Sequence, residues 1–174
     1  MNQALSAPAP ITPLAPDDLE GYWRCLDAVA RERRFLAFTH APSLEATRAF
    51  VEANRADGAP AFVAKVGGRV AGWCDLTRPD FEGWRHAGRL GMGVHPVYRG
   101  AGLGGLLIEA TLAEARTRGF ERIELEVYAS NVAARRLYER AGFEVEGIRR
   151  RCRKLDGRYD DAVLMALLFD PARE

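Results

Sequence analysis

The sequence predicts a single α/β (α+β) domain, on three observations. The chain has 174 residues, enough for one domain with a substantial core and short for two. Stretches with apolar residues at helical spacing are interspersed with short β-patterned runs. Two of those runs flank a Gly-Gly turn, so antiparallel pairing precedes the β–α alternation of the second half.

The elements follow in order. Ile11 to Leu14 read as a short strand, because Pro13 suits only an edge or a strand end. Asp17 is expected to cap a helix running to about Arg34, with Leu19, Trp23, Leu26 and Ala30 on one face. Ser43 caps a second helix, stopped by Asp57-Gly58. "AFVAKVGGRVAGWCDL" is a hairpin across Gly67-Gly68, and "RHAGRLGMGV" continues as a third strand whose Gly88, Gly91 and Gly93 mark a bulge or a close backbone approach. Leu103, Leu106, Leu107, Ala110 and Ala113 form a helix face ended by Gly119. "RIELEVY" alternates, with Ile123, Leu125 and Val127 on one face and Glu124, Glu126 and Tyr128 on the other. Asn131 caps a last helix to about Arg140, and Gly142 stops it. "FEVEGI" and "DAVLMALLF" close the chain as strands joined near Asp156-Gly157.

Composition narrows the function classes. Apolar residues make up 48% and charged residues 28%, ordinary values for a soluble globular chain. A net charge of +1 provides no global footprint for nucleic acid or membrane, and neither partner is expected. The longest apolar run, Ala162 to Phe169, is too short to span a bilayer and reads as a strand buried on both faces. "MNQALSAPAP" lacks the basic and apolar regions of a signal peptide. Residues 1–9 are expected to be flexible, 10–170 to form the domain and 171–174 a tail. Cys25, Cys74 and Cys152, odd in number and scattered, read as reduced thiols of a cytoplasmic protein. His40, His86 and His95 lack ligand spacing, so no metal is expected.

The chemistry centres on "VHPVYRGAGLGG", Val94 to Gly105. Gly100, Gly102 and Gly105 satisfy G-x-G-x-x-G, a dinucleotide-binding fingerprint, while from Arg99 the same stretch is R-x-x-G-x-G. Five residues, "HPVYR", separate the strand from the first glycine, and Glu121, near the offset of a ribose-binding acid, starts a strand rather than ending one. Both features weigh against a dinucleotide. No "GK[ST]" follows, which excludes a triphosphatase P-loop. So many glycines cost backbone entropy that a plain connection does not require, and a phosphate at the helix start is the usual reason.

"GVHPVYRGAGLGGLLIEA" resembles the acetyl-CoA motif of the GNAT superfamily of N-acetyltransferases, with Arg99, Gly102 and Gly104 at the [RQ]-x-x-G-x-[GA] positions. "LEVYASNVAARRLYERAGF", Leu125 to Phe143, resembles the superfamily's second motif and, in particular, that of the ribosomal-protein alanine N-acetyltransferases. The resemblance implies a mixed, twisted sheet of six to seven strands, split between "RLGMGV" and "IELEVY" and flanked by about four helices. Acetyl-CoA would lie in the split. Its pyrophosphate would meet the backbone of Gly100, Ala101, Gly102, Leu103, Gly104 and Gly105 behind Arg99, and its pantetheine arm the backbone of Met92, Gly93 and Val94.

The same resemblance gives Asn131 the role of orienting the cofactor and Tyr138 that of protonating the leaving thiolate. A tyrosine is protonated at neutral pH and can act as that acid. The usual base position before the glycine turn holds Arg89, and Glu126 in "LEVYASN" is the base that the alanine N-acetyltransferases imply, directly or through water. Asp75 and Glu82 are within reach of the cleft mouth but read first as solvated strand-end or loop charge. "RRRCRK", Arg149 to Lys154, reads as a solvated hairpin face. The expected reaction is acetyl transfer from acetyl-CoA to a primary amine, a protein N-terminus or a small molecule, in a ternary complex. The residues leave two alternatives, a non-catalytic acyl-CoA-binding module and a dinucleotide-dependent enzyme. The family also allows a homodimer, whose interface the sequence does not show.

Overall fold

The structure is a computed structural model and describes residues 9–169. Residues 1–8 and the expected 171–174 tail lie outside the described residues. Ala9, placed by sequence in the flexible segment, is packed in the core at 8% exposure. The strands are β1 (Ile11–Pro13), β2 (Ala61–Val66), β3 (Arg69–Thr77), β4 (Ala87–Val94), β5 (Arg122–Tyr128), β6 (Glu144–Leu155) and β7 (Arg158–Leu168). The helices are α1 (Leu19–Arg31), α2 (Leu44–Ala56), α3 (Leu103–Thr117) and α4 (Val132–Arg140). They flank one mixed sheet of order β1-β2-β3-β4-β5-β7-β6, in which, among the described residues, β4 and β5 are the one parallel pair.

Strand alternation sorts the core into two layers. On one face α3 and α4 cover Cys74, Leu76, Leu90, Ile123, Leu125 and Met165 through Leu103, Leu107, Ile108 and Tyr138. On the other, α1 sets Tyr22, Cys25, Leu26 and Val29 against Val63 and Trp73. Glu124, Glu126 and Tyr128 therefore belong to the α1 face of the sheet.

The split falls where the resemblance placed it. β4 pairs with β5 only from Ala87 to Arg89, opposite Arg122 to Glu124. Beyond Arg89 the two strands diverge, and the β5-facing edge of β4 is left without a ladder from Leu90 to Val94.

Three local expectations change. Asp17 does not cap α1: Pro16–Asp18 form a 3₁₀ turn, the helix starts at Leu19, and Asp18 instead accepts from the Ala15 N–H at 3.2 Å. α1 ends at Arg31, three residues short of Arg34, because Arg33 takes a left-handed φ of 57°. β7 is not buried on both faces throughout, since α1 packs on β3 and β4 and leaves Leu164 half-buried and Leu168 exposed. The basic run lies on β6, which extends through it to Leu155, with a bulge between Arg149 and Arg153.

Candidate active site

The divergence of β4 and β5 opens a cleft of about 1070 Å³. Every residue expected at the site lines it except Ala101, which stands exposed on the outside of the turn. The turn joins a parallel β4–α3–β5 unit, but the 3₁₀ turn Pro96–Tyr98 parts β4 from Gly100, whereas in a dinucleotide fingerprint the strand runs directly into the first glycine.

The glycine-rich turn presents bare donors. Gly102 is the N-cap of α3 with φ 79°, a left-handed conformation that glycine adopts freely, and it has no side chain with which to cap the helix. The N–H groups of Gly105 and Leu106 bond the Gly102 carbonyl, which leaves those of Leu103 and Gly104 at the helix start. By contrast, Ser43 caps α2 and the Asn131 Oδ1 caps α4 through the Ala134 N–H at 3.2 Å. An open helix start with aligned dipoles suits a pyrophosphate. The Asn131 oxygen is thus engaged in the cap, and its amide nitrogen is the group left for a ligand.

Arg99 holds the turn rather than reaching into the cleft with a free charge. Its Nε donates to the Val94 carbonyl at 2.9 Å, and its guanidinium forms a bidentate pair with Glu32, one bond measuring 2.8 Å. Along β4, the His95 N–H bonds the Ala71 carbonyl, so alternation turns the backbone groups of Met92 and Val94 toward the open edge and those of Gly93 toward β3. Gly93 serves another end: a Cβ there would stand 2.3 Å from the Trp73 ring.

Tyr138 reaches the cleft from α4 with 8% of its surface exposed. Burial pushes its hydroxyl well above the ordinary tyrosine range, with Cys74 adding to the shift, so it stays protonated at neutral pH. The hydroxyl has no protein hydrogen-bond partner among the described residues. Glu126 enters from β5 on the α1 face, and its Oε2 accepts from Arg149 Nη1 at 2.6 Å, leaving Oε1 without a partner among the described residues. Arg89 is 74% exposed in its side chain and lies 3.7 Å from Glu124.

Two features escape the sequence reading. Val29, Phe35 and Leu36, from α1 and the segment after it, wall the cleft opposite α3. Asp75 is buried at 6% exposure, not a solvated strand-end charge, and accepts from the Tyr22 hydroxyl at 3.1 Å. Burial pushes its carboxyl up to about 7, against a smaller lowering by the Tyr22 bond. Glu82 is exposed, as expected. Among the described residues no group of His, Cys, Asp and Glu could hold a metal, and no helix is long and apolar enough to cross a membrane.

Residues 22–143 match the model of the acetyltransferase (GNAT) family. An L-methionine sulfoximine/L-methionine sulfone acetyltransferase of Pseudomonas paraeruginosa is 33% identical over 129 residues, 72% of this chain and 74% of that protein. A ribosomal protein bS18 alanine N-acetyltransferase of Salmonella typhimurium is 43% identical over 74 residues, 42% of this chain and 50% of its relative. The fold matches yncA of Salmonella typhimurium, solved with its cofactor acetyl-CoA, at a TM-score of 0.90 and 23% identity, over 97% of this chain and 98% of that one. With a matching family model over most of its length, a split sheet and an uncapped α3 start facing the cleft, the chain belongs to the GNAT family of acetyl-CoA-dependent acetyltransferases.

Proposed function

We propose that the protein acetylates the α-amine of an amino acid or of a peptide N-terminus. The observation that carries this reading is the cleft itself, continuous from the open start of α3 through the β4–β5 split to Glu126 and the wall of Val29, Phe35 and Leu36. The relatives named above act on methionine sulfoximine and sulfone and on a protein alanine, and each of these presents an α-amine.

Acetyl-CoA, when bound, supplies the thioester. Leu103 and Gly104 hold its pyrophosphate with free N–H groups, and Met92 and Val94 offer the pantetheine arm backbone groups along the open edge of β4. The unpartnered oxygen of Glu126 draws the amine toward the split and relays its proton through water. The neutral amine attacks the thioester carbonyl, polarised by β4 backbone donors. Tyr138 protonates the departing thiolate. An α-amine, ordinarily titrating near 8, is partly neutral at pH 7 and asks less of a base than a lysine side chain would.

The test is thiol release from acetyl-CoA on addition of L-methionine sulfone, an alanine-initiated tripeptide, or N-acetyl-lysine amide. Turnover with either α-amine and none with the lysine side chain is expected. The reverse preference would overturn the α-amine assignment. Acetyl-CoA bound without thiol release from any acceptor would favour a binding module.

A further inference from the structure

Asp75 projects from β3 over Gly91 of β4, on the face of the sheet that carries Glu126, and is separated from the cleft lining by that glycine. Its partner in the ladder is Gly91, which lines the cleft and has no side chain to block the approach. The Asp75 Oδ1 stands 3.1 Å from where a Gly91 Cβ would be. The Tyr22 hydroxyl takes Oδ2, while Oδ1 has no hydrogen-bond partner among the described residues. The carboxylate thus has one oxygen fixed by Tyr22 and a second that is available to accept a proton. On its other side Asp75 borders a separate cavity of about 180 Å³, bounded by Val51, Asn54 and Arg55 of α2.

We propose that Asp75 is the proton acceptor for the acceptor amine, held by Tyr22 and reached through the space that Gly91 leaves open. The inference rests on the amine-acetylation reading and adds a second carboxylate to it: Glu126 draws the ammonium in, and Asp75 ends the relay. The balance is complete. Oδ1 takes a proton from the ammonium, and the freed lone pair forms the C–N bond as the C–S bond breaks. Tyr138 protonates the thiolate and recovers a proton from the acetylated nitrogen. Asp75 returns its own proton to solvent through the smaller cavity.

Few charges act on the carboxyl. Tyr22 faces it from α1 with Cys25 behind, Cys74 lies next to it on β3 pointing to the opposite face, and Arg89 is two residues from Gly91 with its guanidinium in solvent. At the smaller cavity Arg55 is bonded to the Leu14 carbonyl at 2.8 Å, and Glu114 pairs with Arg118 at 2.7 Å. No cation neutralises Asp75 among the described residues, so burial dominates and the group titrates near neutrality.

The test compares wild type, Asp75→Asn and Tyr22→Phe between pH 5 and 9 with L-methionine sulfone as acceptor. Asp75→Asn should keep acetyl-CoA binding and lose about 10²-fold in kcat/KM at pH 7, shrinking to under about 10-fold at pH 9, where the amine is already neutral. Tyr22→Phe removes a bond that lowers the carboxyl's pKa and should move the acidic limb to higher pH. Hydroxylamine, neutral at pH 7, requires no proton acceptor and should be acetylated equally by wild type and Asp75→Asn. An Asp75→Asn enzyme with the wild-type pH profile, or one equally impaired at every pH and with hydroxylamine, overturns the proposal. If wild type leaves methionine sulfone untouched, the acceptor reading fails instead. The thermal midpoint then decides on Asp75: the Asp75→Asn midpoint should rise relative to wild type from pH 5 to 8, and a constant difference overturns the proposal.

Discussion

At the scale of the residue, burial raises the titration of two groups in the proposed chemistry, Tyr138 and Asp75, to different extents. Tyr138 is shifted up so far that it remains a phenol at any working pH, which fits a proton donor. Tyr138→Phe is expected to lower kcat by about 10²-fold or more while the Kd for acetyl-CoA, read by calorimetry, stays within about threefold. Asp75 is shifted only to about 7, so it exchanges protons where the enzyme works. That raised value is also a stability cost, and its sign is definite. Between the ordinary aspartate range and about 7 the unfolded chain ionises while the folded carboxyl still holds its proton, so stability falls as pH rises through that window. Asp75→Asn removes the penalty and can keep Tyr22 as a donor. Denaturant unfolding should find it more stable than wild type at pH 8 by about 4 kcal/mol, an advantage that vanishes near pH 4. A variant that is more stable yet slower with an ammonium acceptor is the expected mark of strain kept for function.

At the scale of the element, α3 and β4 are shaped by what must approach them. Gly105 has a helical φ and open space where a Cβ would stand, so nothing inside the protein calls for glycine there. Gly105→Ala should therefore stabilise α3 by about 0.5–1 kcal/mol, read as a higher Tm. The same methyl projects at the edge of the cleft, and acetyl-CoA binding should weaken about tenfold, the scale of one spoiled charge-assisted bond. Gly93→Ala differs, because the Trp73 ring fills the space and overpacking should cost about 1–3 kcal/mol by denaturant titration, with or without ligand. This contrast explains what could be read from the chain. The glycine turn, the alternation of "RIELEVY" and the Asn131 cap are local signals, and the structure reproduces them. Asp75 could not be placed, because its burial depends on Tyr22, fifty-three residues earlier, and on a glycine on the neighbouring strand. The engagement of Arg99 with Glu32 is non-local in the same way, and no spacing in "YRGAGLGG" announces it. The start of α1 departs from the capping pattern for a local reason, since Pro16 opens a 3₁₀ turn that consumes Asp17.

At the scale of the whole molecule, the segment from Glu32 to Ala41 is gripped at its start from two directions, and Phe35 and Leu36 just beyond line the cleft. Arg99, next to the pyrophosphate turn, grips Glu32. At the far end of the sheet, the β6–β7 hairpin reaches over: Arg153 donates to the carbonyls of Arg33 and Arg34 at 2.8 and 3.1 Å, and Asp156 pairs with Arg33. Arg153 also lies 4.7 Å from the centre of the Tyr128 ring, on the same strand face as Glu126. Part of the basic run is therefore a strut for the cleft wall rather than a solvated face. Exposed pairs of this kind contribute little to global stability, because solvent screens them and their side chains lose entropy on pairing. They can still select one position of a segment whose Phe35 and Leu36 line the cleft. Arg153→Ala should accordingly leave Tm and the acetyl-CoA Kd nearly unchanged, raise the acceptor KM by about three- to tenfold, and speed amide exchange between residues 32 and 40. A rise in the acetyl-CoA Kd instead would place the strut's effect on the Arg99 side of the segment. Unchanged KM and exchange would mean that the wall stands by its apolar contacts alone.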